Sequence, residues 1–150
     1  RGNAAFSQFV RAAAIGDGWL YAAVQTGGVY AFSLTSGEIR RLEGLPVATG
    51  AEVEAMAFLP PDSLYVAVEG STLVRLDTAM GAVETLAASA RVEPTSPWEG
   101  RGPFAVRGLW ADEANARVIA LTYIRPQDAH DRGGVWAIGR DGSFTHLLRC

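Results

Sequence analysis

The sequence repeats itself three times, and this recurrence constrains the fold more than any other feature. Residues 18–24 (GWLYAAV) resemble residues 63–68 (SLYVAV) and residues 117–123 (RVIALTY). Each segment is followed by a second apolar block, then by a turn containing Gly37, Gly81 or Gly142, and then by a short mixed segment. The second blocks are residues 28–32, 72–76 and 134–138, and the mixed segments are residues 39–42, 83–87 and 144–148.

The period of the repeat indicates its architecture. Gly37 and Gly81 are 44 residues apart (81 − 37), and Gly81 and Gly142 are 61 apart (142 − 81), because two loops of the third unit are longer. A weaker first strand is expected in each unit, at residues 12–15, 55–59 and 108–111. A period in the forties with four short strands per unit is typical of a propeller blade.

A helical interpretation competes with the strand interpretation in two places. Residues 51–59 and 79–90 are rich in alanine, which favours helix. In the first of these, however, Glu52 and Glu54 alternate with Val53 and Ala55, a period of two that is typical of a strand. We therefore predict strands in both places, with room for one short helix within residues 87–91.

The repeat resembles a known class of bacterial proteins. Leu64-Tyr65-Val66-Ala67-Val68 followed by Leu73-Val74-Arg75-Leu76-Asp77 is similar to the repeats of β-propellers of the NHL, YVTN and gluconolactonase type. The resemblance covers nearly the whole chain and implies a β-propeller. Gluconolactonase-type enzymes hold a divalent metal with Glu, Asn and Asp ligands, and none of these ligands is matched here by motif. The resemblance therefore implies the fold and not that activity.

We predict an all-β fold of three four-stranded antiparallel blades, at residues 11–44, 53–88 and 107–149. Residues 5–10 are predicted to be a strand, so that residues 1–10 belong to a neighbouring blade. Known propellers use four to eight blades, so three blades leave an incomplete ring. Either the chain is a segment of a larger propeller, the alternative favoured by its start at Arg1, or two copies pair into a six-bladed assembly.

Composition excludes several partners. The net charge is -3 and no basic cluster is present, so we expect no nucleic-acid binding. The longest apolar runs are far shorter than the roughly 20 residues that span a bilayer, so no direct membrane insertion is expected. A lone cysteine, Cys150, and two distant histidines exclude Cys/His metal-finger spacing, and we expect no metal, cofactor or catalytic residue. All 13 basic residues are arginine, which suggests a bacterial genome rich in GC.

The long loops are the expected binding surface. In a propeller the connections between blades lie on the same face as the loops joining second and third strands, and the long loops 43–52, 88–107 and 124–133 all fall there. Long loops on a rigid scaffold commonly carry binding. Candidate residues in them are Trp98, Glu99, Arg101, Arg125, Asp128, His130, Asp131 and Arg132.

Each candidate also has a structural interpretation. The segment from Arg125 to Arg132 could supply a metal-ligand pair or anion contacts, but a solvated loop whose charges neutralise one another is the simpler interpretation. Trp98 could anchor an interface or fold back over the core.

These patterns predict a non-catalytic module that binds a protein partner through its long-loop face. The partner is another protein or a second copy of the chain that completes the propeller. The first alternative is part of a lactonase- or hydrolase-type propeller with a metal in the central channel. The second is a structural subunit of a membrane or redox complex. No residue pattern fixes the compartment, and we expect a periplasmic or secreted location.

Overall fold

Three small sheets make up the described part of the protein. The computed structural model describes residues 10–25, 28–46, 52–68, 72–88, 106–122 and 134–149. Their strands are β1 (Val10–Gly16), β2 (Trp19–Val24), β3 (Val29–Ser33), β4 (Ile39–Leu42), β5 (Val53–Leu59), β6 (Ser63–Val68), β7 (Thr72–Asp77), β8 (Val83–Ala88), β9 (Val106–Asp112), β10 (Arg117–Thr122), β11 (Gly134–Gly139) and β12 (Phe144–Arg149). One 3₁₀ turn, Glu113–Asn115, separates β9 from β10.

Each sheet is a four-stranded antiparallel meander, with strands paired in chain order. We call β1–β4 blade 1, β5–β8 blade 2 and β9–β12 blade 3. The sequence prediction of three four-stranded antiparallel blades is confirmed. The helical alternative is wrong where it can be compared, because β5 covers residues 53–59 and β8 covers residues 83–88. The strand predicted at residues 5–10 lies outside the described residues, except for Val10, which begins β1.

The blades pack face to face, and this packing explains the apolar second strands. Every residue of β6 is buried, because blade 2 is covered by blade 1 on one side and by blade 3 on the other. A strand covered on both faces needs apolar residues at consecutive positions rather than at alternate ones. The alanine-rich stretch of β5 is therefore a strand because both of its faces are buried, which outweighs helix propensity.

Two apolar clusters fill the two junctions between blades. The first joins blades 1 and 2 and includes Tyr21, Val29, Met56, Phe58 and Leu64. The second joins blades 2 and 3 and includes Leu59, Tyr65, Leu109, Val118 and Ile138. Burial of each such large side chain contributes about 1.5–3 kcal/mol. The stability of the fold therefore lies mainly between the sheets.

Short turns join the first and second strands, and the third and fourth strands, at one end of every blade. Asp17 (φ 48°) and Gly18 (φ 74°) both adopt the left-handed conformation between β1 and β2, as a two-residue hairpin turn requires. In the turn at Arg140-Asp141-Gly142, Gly142 has positive φ (80°) and Asp141 does not. The Asp141 carboxylate instead accepts hydrogen bonds from the backbone N–H and the hydroxyl of Ser143. The opposite end of the blades is the long-loop face.

Candidate binding face

Each first strand carries a β-bulge at the same place. In blade 1, Val10 pairs with Val24 and Ala12 pairs with Ala23, so Arg11 has no partner residue on β2. The same irregularity skips Glu54 in β5 and Arg107 in β9. A bulge leaves one residue outside the ladder and redirects its side chain. All three redirected residues are charged, although the residues directly before and after each of them are uncharged and small or apolar.

The bulges lie near the axis of the arc, on the long-loop face. First strands of neighbouring blades pack directly on each other, β1 on β5 and β5 on β9, which places them on the inner side of the arc. Each bulge is the second residue of its strand, β5 and β9 begin where inter-blade connections end, and β1 begins at the same end of blade 1. The charged side chains of Arg11, Glu54 and Arg107 therefore belong to the inner rim of the long-loop face.

Two ion pairs across the blade junctions complete this rim. Arg11 Nη2 lies 2.5 Å from Glu52 Oε1, joining blade 1 to the residue that precedes β5. Arg107 Nη1 lies 2.5 Å from Glu54 Oε1, joining blade 3 to blade 2. The four side chains are 25–46% exposed, so each pair contributes less than about 1 kcal/mol to stability. We call Arg11, Glu52, Glu54 and Arg107 the rim charges.

The opposite face holds a different kind of charged cluster, between blades 2 and 3. The Arg75 guanidinium donates to the backbone carbonyl of Arg140 and to the Glu84 carboxylate. Arg140 in turn donates to the backbone carbonyl of Pro60 and lies 3.4 Å from Asp62 Oδ1. Both arginines thus link one blade to the next. The guanidinium N–H groups that make these hydrogen bonds are not available to a ligand. A depression of about 370 Å³ lies beside them, lined by Asp62, Ser63, Arg75, Asp77, Ala82, Val83, Glu84 and Arg140.

Beneath this cluster the Tyr65 hydroxyl is buried. Among the described residues it has no hydrogen-bond partner of normal geometry. Burial raises the pKa of Tyr65 above its ordinary value of 10.0, and the nearby Arg75 guanidinium offsets this only in part. Tyr65 is therefore a neutral packing residue at physiological pH.

The described ranges hold neither a metal-ligand cluster nor a membrane-spanning helix. No group of three or more His, Cys, Asp or Glu side chains within them is arranged to hold a metal ion. No helix among the described residues is long and apolar enough to cross a membrane.

The binding residues predicted from the loops lie outside the described residues. This applies to all eight: Trp98, Glu99, Arg101, Arg125, Asp128, His130, Asp131 and Arg132. The rim charges were not predicted. Their signal was present, since alignment of the repeats places a charged residue at positions 11, 54 and 107, each preceded by valine.

Comparison with known proteins supports the fold and not a family. No protein-family model and no curated protein matches the sequence. Among solved structures, the β-propeller-like extracellular domain of a putative hybrid two-component system, BT4673 from B. thetaiotaomicron, superposes with a TM-score of 0.66 at 17% identity. That match covers 100% of this chain and 18% of the other. The fold is that of an incomplete β-propeller.

Two further structures give weaker matches. The N-terminal domain of Nup159 matches with a TM-score of 0.52 at 13% identity, covering 92% of this chain and 29% of that one. The computationally designed Ika4 protein matches with a TM-score of 0.51 at 15% identity, covering 97% of this chain and 92% of that one. At these identities the matches bear on the fold alone. The chain spans less than a fifth of the length of the BT4673 extracellular domain.

Proposed function

We propose that this chain is a non-catalytic β-propeller module that binds a protein partner through its long-loop face. The observation that carries the proposal is the threefold repetition of a charged bulge, at Arg11, Glu54 and Arg107, on the inner rim of that face. A bulge disrupts the ladder and gains nothing for the core. Its repetition with charged residues in three blades is accounted for by a role at the surface.

The rim charges define what a partner must present. Along the rim the signs run positive at Arg11, negative at Glu52 and Glu54, and positive at Arg107. Arg11, Glu54 and Arg107 stand on strands and Glu52 directly precedes β5, so the sheets hold the positions of these side chains. A complementary partner offers acidic groups on both sides of a basic centre. Such patterns set specificity and association rate more than affinity.

The proposal is tested with charge-reversal variants. The wild-type chain, immobilised, captures its partner from an extract of the source organism, and the purified partner is then titrated against variants by calorimetry. Glu54→Arg and Arg107→Glu are each expected to weaken binding about tenfold or more, as contacts at the centre of an interface do. Glu38→Arg is the matched control, because Glu38 is exposed in the β3–β4 turn on the opposite face.

Two results contradict the proposal. One is binding that Glu38→Arg abolishes and the rim variants leave unchanged, which would place the partner on the short-turn face. The other is a stoichiometric divalent ion in the purified protein together with lactone hydrolysis, which would establish the lactonase-type alternative.

A further inference from the structure

Among the described residues, the two ends of the arc leave large apolar side chains of the outer sheet faces exposed, whereas Ala22 and Val24 of β2 are buried. We define the following side of a blade as the sheet face turned toward the next blade in the chain, and the preceding side as the opposite face. On the following side of blade 3, the exposed fractions of Trp110, Leu121 and Leu148 are 56%, 42% and 60%. On the preceding side of blade 1, those of Val10 and Ile15 are 49% and 68%.

Strand pairing places these side chains on common faces. In blade 3, Leu121 pairs with Gly108 and Val135, and Val135 pairs with Leu148, so all four share one face. Trp110 lies two residues beyond Gly108, and its indole covers that glycine: a Cβ on Gly108 would lie 2.3 Å from the ring. The indole therefore lies against the following side of blade 3, over Gly108.

The two internal junctions show what occupies such a face. At the junction of blades 1 and 2, the following side of blade 1 contributes Ala14 and the preceding side of blade 2 contributes Met56. At the next junction the residues at the same repeat positions are Ala57 and Leu109. In each junction a small residue on one first strand meets a large residue on the other.

At the uncovered ends the order of sizes is reversed. The position of Ala14 and Ala57 is occupied in blade 3 by Trp110, and the position of Met56 and Leu109 is occupied in blade 1 by Ala13. Trp110 would overfill a junction with a Met56-like residue, since overpacking is destabilising. Opposite Ala13 it restores the pairing of one large and one small residue.

We propose that the following side of blade 3 docks on the preceding side of blade 1 in a second copy of this chain, with Trp110 packed over Ala13. When both junctions form between two copies, six blades result, within the four to eight that propellers use. The bulge residues at such a junction are Arg107 and Arg11, each already paired with a glutamate of its own copy. Salt screens the repulsion between these arginines, so the apolar junction persists or tightens as ionic strength rises.

The experiment measures the mass of the 150-residue chain by analytical ultracentrifugation over a range of concentrations and salt. We expect an assembly of twice the 15.9 kDa chain mass that persists in high salt. Trp110→Ala and Ala13→Leu, measured singly, each raise the dissociation constant of the dimer about tenfold or more. The double variant recovers much of the lost affinity, because it exchanges the large and the small residue across the junction. Met80→Ala is the control, because Met80 is 81% exposed in the β7–β8 turn, away from both faces.

Folding of each variant is checked by circular dichroism and by the midpoint of unfolding at a concentration where the wild type is monomeric, which should match the wild type because Trp110 and Ala13 are then exposed. A chain that stays monomeric up to its solubility limit overturns the proposal. So does an assembly that Trp110→Ala leaves intact, or one that high salt dissolves, since either would place the contact elsewhere. These outcomes are independent of partner binding at the rim charges.

Discussion

Phe58 of blade 2 packs directly against the backbone of Gly16 in blade 1. A Cβ placed on Gly16 would lie 1.8 Å from Cδ1 of the Phe58 ring. The same ring stacks on Tyr21, with 5.6 Å between ring centroids and 10° between the planes. Gly16 therefore provides the space that lets an aromatic pair close the junction of blades 1 and 2.

Gly16→Ala is expected to destabilise the protein by about 1–3 kcal/mol, because the added methyl group forces Phe58 out of its packed position. Urea unfolding followed by circular dichroism measures the change. Gly18→Ala is a poor control because Gly18 has positive φ, so Gly16→Ala is repeated in a Phe58→Ala background, where the added methyl group no longer meets the ring. A Gly16→Ala variant as stable as the wild type would show that Phe58 can move aside.

Arg75 is expected to contribute more to stability than Arg107. Arg75 bridges Glu84 and the backbone carbonyl of Arg140, and its side chain is 24% exposed, so Arg75→Met leaves a shielded carbonyl without its donor. The expected cost is about 1–3 kcal/mol. Arg107→Met removes only an exposed pair and should cost less than about 1 kcal/mol.

Denaturant unfolding of the two Arg→Met variants under the same conditions compares these contributions. Equal losses would contradict the assignment of Arg75 as a tie between blades and of Arg107 as a surface group.

The strands could be predicted from the sequence because each of the four strand positions occurs three times, once in every repeat. The first strand of blade 1 is weak by itself, but residues 12–15 align with the stronger β5, and the structure begins β1 at Val10. Burial on both faces also makes β2 and β6 easy to recognise, since few other settings require such continuous apolar runs.

The rim charges could not be predicted by the same reasoning. Alternation with a period of two assigns every strand residue to one face or the other, and a bulge removes a residue from that scheme. Glu54 was interpreted as the polar half of an alternating pair, although it is the bulged residue itself. The tie between Arg75 and Arg140 spans 65 residues and depends on how two blades meet, which no local pattern records.

Tyr65 and Tyr21 form a matched pair for testing buried hydroxyls. They occupy equivalent positions in blades 2 and 1, and each hydroxyl has a polar neighbour, Thr78 beside Tyr21 and Arg75 beside Tyr65, but the buried Tyr65 hydroxyl makes no hydrogen bond of normal geometry. Tyr65→Phe is expected to leave stability unchanged or raise it by up to about 1 kcal/mol, because an unsatisfied buried group is removed. Tyr21→Phe should cost about 0.5–1.5 kcal/mol. Thermal unfolding of both variants measures these two changes in stability. A larger loss for Tyr65→Phe than for Tyr21→Phe would mean that a bound water is the hydrogen-bond partner of Tyr65.

The same two tyrosines predict a loss of stability at alkaline pH. Burial raises the pKa of both hydroxyls above 10.0, for Tyr21 against the partial effect of its hydrogen bond to Thr78. Above that pH the unfolded chain releases these protons while the folded protein retains them, so the unfolded state binds fewer protons and stability falls as pH rises. The contribution is fully present below pH 10 and is lost as the pH passes through the raised values.

Free energies of unfolding measured from pH 8 to pH 11 test this dependence. The Tyr21→Phe/Tyr65→Phe double variant should show a shallower decline than the wild type, and each single variant should show an intermediate decline. A double variant that declines as steeply as the wild type would assign the alkaline transition to groups other than these two buried hydroxyls.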